Sequence, residues 1–131
     1  MRILIAQQDA ETVAIVRSAI TPEHVVVEAN DGDATALLIT EASERGIPFD
    51  LLILDLQMVG MPGLEVLALL RSLEEPRKLA GGVTTRVLVV SESTSGRFIY
   101  GAHAMSCDGY LVKPLDIDKF REALDRVCPR Q

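Results

Sequence analysis

Five short runs dominated by Ile, Leu and Val alternate along the chain with longer segments whose apolar residues recur every three or four positions. The runs at 2–6, 24–29, 50–54, 86–90 and 109–113 read as strands, and Leu51-Leu52-Ile53-Leu54 is apolar throughout, the mark of a strand buried on both faces. Between them, Val13, Val16 and Ile20 share one helical face, as do Ala34, Leu37, Leu38 and Ala42. Val66, Leu69, Leu70 and Leu73 mark a third helix, and Ile117, Phe120, Leu124 and Val127 the last. Strand and helix alternating five times predict an α/β fold: one domain over 1–131, a (βα)5 three-layer sandwich around a parallel five-stranded sheet. Right-handed crossovers leave few topologies, and the order 2-1-3-4-5 brings together the ends of strands one, three and five.

Local signals agree with these elements. Asp9, Asp31 and Asp116 stand at N-cap positions, and Gly46 ends the second helix. The fourth helix, about 95–106, is the weakest. It opens with Ser93-Thr94-Ser95-Gly96 and carries Gly101 in its interior, at a cost of about 1 kcal/mol relative to Ala. It is expected to be the most mobile helix. The segment 75–85, with Pro76, Gly81 and Gly82, is expected to form a flexible surface loop.

Composition narrows the function. A chain of 131 residues, 48% of them apolar, buries about two-thirds of its unfolded surface and is not disordered. The net charge of −6, with Lys and Arg scattered, argues against nucleic acid as a direct partner. Cys107 and Cys128 have neither metal-ligand spacing nor a disulfide framework, so two reduced packing cysteines in a cytoplasmic protein are expected. No apolar stretch approaches the ~20 residues of a membrane span. Met1-Arg2-Ile3-Leu4 runs straight into the first strand, leaving no room for a signal peptide. His24 and His103 are isolated and receive no role.

The chemistry concentrates at the carboxyl ends of the strands, where open α/β sheets place their ligands. Asp55 follows the most apolar strand, where a charge has no packing value. Gln7-Gln8, Ser91 and Lys113-Pro114 end strands one, four and five. The segments Asp50–Met58, Gly63–Leu67 and Asp108–Pro114, on those strand ends, resemble the receiver domain of bacterial two-component response regulators, the CheY-like family with a flavodoxin-like fold. The resemblance spans essentially the whole chain. It implies a phosphoprotein of signal transduction rather than an enzyme, with Asp55 as phosphoacceptor, Lys113 contacting the phosphoryl group and Ser91 hydrogen-bonding it. Tyr110 would change rotamer as Ser91 moves, and the Lys113-Pro114 bond would be cis. The implied partners are a sensor histidine kinase or phosphotransfer protein, and a downstream protein docking on helix 4, strand 5 and helix 5. A transferring phosphoryl group gathers negative charge, which explains a site built from Lys, a hydroxyl and, in the family, Mg²⁺.

Gln7 and Gln8 depart from that pattern, because the matching residues of the family are acidic and serve Mg²⁺. At an effective dielectric of ~20, a unit charge and a divalent ion about 4 Å apart attract by roughly 8 kcal/mol before desolvation. Two neutral amides forgo that attraction. No metal is therefore expected, Mg²⁺ binding being weak at best; any ion would fall to Asp55, Gln57 and Gln8, with Asp9 as a rescue ligand. Asp55 and Lys113 alone would make a neutral pocket, paired directly, with the Gln amides hydrogen-bonded to the Asp55 carboxylate. Val59, Pro62, Glu92 and Ser106 also depart from the usual residues; a Glu beside Ser91 should repel a phosphodonor. Two readings follow: a phosphorelay receiver with weakened or absent Mg²⁺ dependence, and a phosphorylation-independent pseudo-receiver acting as an interaction module. A flavodoxin-like cofactor binder would need a Ser/Thr/Gly-rich phosphate loop, which Gln7-Gln8-Asp9-Ala10-Glu11 does not supply.

Overall fold

The computed structural model describes residues 1–128. Strands β1 (Arg2–Ala6), β2 (Val25–Ala29), β3 (Leu51–Leu54), β4 (Arg86–Ser91) and β5 (Gly109–Val112) alternate with helices α1 (Ala10–Ala19), α2 (Gly32–Glu44), α3 (Gly63–Leu79), α4 (Gly96–Ala104) and α5 (Ile117–Val127). All strand pairs are parallel and the order is β2-β1-β3-β4-β5, as the sequence predicts.

Alternation along the strands sorts the core into two layers. Leu4, Ala6, Leu52, Leu54, Val87 and Val89 face Ile39 of α2, Val66, Leu67 and Leu70 of α3, and Ala102 of α4. Ile3, Ile5, Leu51, Ile53, Leu88 and Val90 face Val16 of α1 and Phe120, Ala123 and Val127 of α5. With helices on both sides, β3 is buried throughout, which is why its sequence shows no polar alternation.

The caps form as read. Asp9, Asp31 and Asp116 accept backbone N–H groups in the first turns of α1, α2 and α5. Gly46 follows α2 with φ +71°, the left-handed conformation that favours glycine. Gly101 has a packing reason: a Cβ there would lie 3.1 Å from Leu64 Cδ1, so its absence lets α3 and α4 approach.

The segment 75–85 corrects the sequence reading. Helix α3 runs through Pro76 to Leu79, and only the remainder is a turn. Glu74 is buried and accepts hydrogen bonds from Arg71 (2.7 Å), Arg77 (3.3 Å) and the Thr85 N–H (2.5 Å). These bonds pin the last turn of the helix and the start of β4 to one carboxylate, offsetting the backbone bond that proline removes.

Candidate functional site

Because the sheet is parallel, all its carboxyl ends lie along one edge. Gln7 and Gln8 follow β1, Asp55 follows β3, Ser91 closes β4 and Lys113 follows β5. Asp55 is 3% exposed. Its Oδ2 accepts a hydrogen bond from Lys113 Nζ at 2.8 Å, and its Oδ1 accepts the Gln57 N–H at 3.0 Å. The direct Asp55–Lys113 pair is as the sequence suggests. The Lys113-Pro114 peptide is cis.

Asp9 alters the charge count. Lys113 Nζ also donates to Asp9 Oδ1 at 2.5 Å, so one ammonium bridges two carboxylates. Asp9, Asp55 and Lys113 together carry one net negative charge, not the neutrality expected from Asp55 and Lys113 alone. Asp9 Oδ2 meanwhile accepts from the Thr12 N–H and hydroxyl, at 3.0 and 2.6 Å. Partial burial works to raise the Asp9 pKa, but the hydrogen bonds from Lys113 and Thr12 outweigh it and hold the group at about 2. For Lys113, burial works against the charged form, and the bonds to Asp55 and Asp9 prevail, raising its pKa.

The glutamines do not hydrogen-bond to the Asp55 carboxylate, contrary to expectation. Gln7 Nε2 donates to the Val90 carbonyl at 3.3 Å, across the end of β3. Its Oε1 is buried without a protein partner. Gln8 Oε1 turns outward and accepts the Val59 N–H at 3.0 Å, in the loop after Asp55. The rotamer of a long amide at a strand end is decided by which backbone groups lie near it, and sequence position carries no record of that.

Ser91 is fully buried, and its Oγ accepts the Ser93 N–H at 3.3 Å. Tyr110 donates its hydroxyl to the Ser93 carbonyl at 2.9 Å. Burial raises the Tyr110 pKa, so the hydroxyl keeps its proton. Ser91 and Tyr110 thus hold the N–H and the carbonyl of the same residue of the β4–α4 loop. An open cavity of about 400 Å³ leads to Lys113 and is lined by Asp9, Glu11, Thr12, Glu92, Lys113 and Pro114. Three of those six residues are acidic, so the approach to Lys113 is electronegative.

A divalent cation with hard-oxygen preferences needs several ligand oxygens with open lone pairs and benefits from their charge. Of the residues named for it from sequence, Asp55 directs its oxygens at Lys113 and the Gln57 N–H, and Gln8 at the Val59 N–H. Gln7 offers one neutral unpartnered oxygen. Among the described residues no three His, Cys, Asp or Glu side chains are grouped to hold a metal ion. Asp9, the rescue ligand, directs its oxygens at Lys113 and Thr12.

Residues 3–125 match the model of the response regulator receiver domain, and the chain belongs to that family. The nitrate/nitrite response regulator protein NarP of Escherichia coli is 33% identical over 100 residues, covering 76% of this chain and 40% of NarP. Chemotaxis protein CheY-3 of Vibrio cholerae is 31% identical over 103 residues, covering 79% of this chain and 71% of that protein. The chain therefore spans two-fifths of NarP but most of CheY-3. Among solved structures, the signal receiver domain of NarL from Mycobacterium tuberculosis superposes with a TM-score of 0.74 at 28% identity, covering 98% of this chain and 97% of that one. The phosphorylated cyanobacterial phytochrome response regulator RcpA gives 0.78 at 20% identity, covering 98% and 94%, a likeness of fold. The molecule is a receiver domain of two-component signalling, a class of signalling modules that work with histidine kinases or phosphotransfer proteins. Among the described residues no helix is long and apolar enough to cross a membrane.

Proposed function

We propose that this receiver accepts a phosphoryl group on Asp55 in a cytoplasmic phosphorelay, and that Lys113 supplies the cationic neutralisation for which the family uses Mg²⁺. The observation that carries this reading is the Lys113 ammonium within hydrogen-bond distance of both Asp55 and Asp9. In the transfer, an Asp55 carboxylate oxygen forms the new bond to phosphorus as the bond to the donor's leaving group breaks. Lys113 and the Gln57 N–H already lie on the carboxylate and are placed to hold phosphoryl oxygens. The Ser91 hydroxyl, now bonded to Ser93, would turn to the phosphoryl group and release that loop. Tyr110, bonded to the same residue, would follow. The output surface is the face of α4, β5 and α5, where Tyr100 and Val112 are exposed apolar side chains at 77% and 41%.

A second reading is supported by accessibility. Asp55 is almost fully buried with both oxygens engaged, and the nearby approach is acidic. On that reading the domain is a pseudo-receiver that binds partners without phosphorylation. Incubation with a small phosphodonor, with and without Mg²⁺, followed by intact mass, separates the two. One phosphoryl adduct, formed at similar rates with and without Mg²⁺ and lost in Asp55→Asn, supports the first. No adduct in the native chain, but an Mg²⁺-dependent adduct in the Gln7→Asp/Gln8→Asp variant, supports the second. An adduct in the native chain that demands Mg²⁺ would refute the role given to Lys113.

A further inference from the structure

The loop between β3 and α3 follows Asp55 directly, and its Met61 backbone lies close against Gly32 at the start of α2. Val59 is 69% exposed, yet both its backbone groups are bonded. Its N–H donates to Gln8 Oε1 at 3.0 Å, and its carbonyl accepts the Gly32 N–H at 2.8 Å. Two residues on, the Met61 N–H donates to Asp33 Oδ1 at 3.2 Å. Between them Gly60 has φ +84°, with Asp33 Oδ2 only 2.6 Å from where a Cβ would stand, so no other residue fits there without strain. The start of α2 grips one side of the loop, and Gln8, from the end of β1, grips the other. The near end of the same loop carries the Gln57 N–H that donates to Asp55 Oδ1.

We propose that Gln8 is a positioning residue that fastens the β3–α3 loop to the end of β1 by a hydrogen bond, doing in this chain what a bridging cation would otherwise do. The acidic residue expected at this position would bring a negative charge to the end of β1 and serve a metal there. An amide oxygen joins β1 to the loop directly and without charge, since it accepts one N–H and needs no counter-ion. The bond sets the loop, and the loop sets the Gln57 N–H on Asp55. Gln8 therefore acts on the carboxylate through the backbone of residues 57–59. The consequence for function rests on Asp55 as the acceptor; the fastening itself does not.

Amide hydrogen exchange on the unphosphorylated protein tests the fastening. The Val59 N–H, despite its exposed side chain, should be protected in the native chain. Gln8→Met, which keeps length and removes the acceptor, should cut that protection by about threefold to tenfold. Gln8→Glu, which restores an acceptor at the same reach, should recover most of it. Millimolar Mg²⁺ should leave Val59 exchange unchanged in the native chain. Full exchange of Val59 in the native chain, protection unaffected by Gln8→Met, or protection that rises on adding Mg²⁺ would each overturn the proposal. A small-phosphodonor assay on the same variants supplies the functional arm. A slower Asp55 adduct in Gln8→Met that Gln8→Glu restores supports positioning, and an unchanged rate refutes any effect on Asp55. If no adduct forms even in the native chain, the phosphoacceptor reading fails while the exchange data still decide the fastening.

Discussion

The two ends of the sheet each hold a cluster of carboxylates and cations, and the clusters are built to opposite ratios. At the amino end of β4, one buried carboxylate, Glu74, meets two guanidinium groups and the Thr85 N–H. At the carboxyl ends, one ammonium, Lys113, serves two carboxylates, Asp9 and Asp55. The first cluster is saturated. Arg71 also donates to the carbonyls of Thr85, Met105 and Ser106, so a single fork joins α3, the start of β4 and the end of α4. The second cluster is short of positive charge, while open cavities of about 360 and 400 Å³ border the first and the second alike. A saturated cluster has no use for a ligand and serves to fix the fold. An unsaturated one retains attraction for a further cation or donor, and a change of charge on one member redistributes the rest.

The largest effect should come from the saturated end. Glu74→Leu leaves the Arg71 and Arg77 guanidiniums, both partly buried, without their anion and the buried Thr85 N–H without an acceptor. A loss of about 4 kcal/mol is expected in urea unfolding, because removing one partner of a buried pair strands the others. Glu74→Gln keeps an acceptor for Thr85 and should lose less. At the site end, Lys113→Met should cost less, about 2 kcal/mol. Water from the adjoining cavity can hydrate Asp9, and Asp55 keeps the Gln57 N–H. Equal costs at the two ends would break the comparison.

The contrast was half legible in the sequence. Asp55, Lys113 and Ser91 were readable because each sits one step from the end of an unmistakable apolar run, and parallel strands put those ends together. Asp9 was readable as a cap, and the structure keeps that role. Its second bond, to Lys113, depends on how the β5–α5 turn is placed, which no local pattern encodes. At the other end, Pro76 and two glycines outweighed a signal that was present. Glu74 continues the buried stripe of Val66, Leu67 and Leu70 at helical spacing, with an Arg three residues to either side. A carboxylate at a core position flanked in that way announces a buried ion network.

Acid titration sharpens the comparison at the site end. The pKa of Asp9 is lowered from the ordinary carboxylate value to about 2 in the folded chain. A depressed carboxylate adds stability above its unfolded pKa and loses it as pH falls through the folded one, so this contribution should fade between about pH 4 and pH 2. Asp9→Asn retains a good N-cap, because Asn caps as well as Asp, and removes only the ionic part. The variant should melt a few degrees below the native chain at pH 7, by roughly the scale of 1 kcal/mol in a domain of this size, and the gap should close by pH 2. For Lys113 the sign reverses: its raised pKa contributes stability at neutral pH that is lost only as pH climbs through the folded value, above the ordinary lysine range. A gap between native and Asp9→Asn melting curves that persists unchanged at pH 2 would show that Asp9 matters as a cap and not as a partner of Lys113.

The smallest effect tests whether the saturated end carries a cost of its own. Ser106 follows α4 with φ +60°, the only non-glycine at positive φ among the described residues, at a position where a glycine would end the helix without strain. The left-handed conformation costs an L-residue about 1–2 kcal/mol, and glycine loses roughly 0.5–1 kcal/mol of that advantage through its greater freedom when unfolded. Ser106→Gly should therefore stabilise by about 0.5–1 kcal/mol in urea unfolding. Nothing in the Arg71 network opposes the change, since Arg71 grips the carbonyl of residue 106 and not its side chain. Ser106→Ala is the control: it removes the hydroxyl but keeps the Cβ, and should gain nothing. If both variants were neutral, the backbone there would relax at no cost, and the fork of Arg71 would be following the chain's own preference. If only glycine stabilises, the closing turn of α4, in which the Cys107 N–H donates to the Ala102 carbonyl and the Ser106 N–H to the His103 carbonyl, holds Ser106 in a conformation it would otherwise leave.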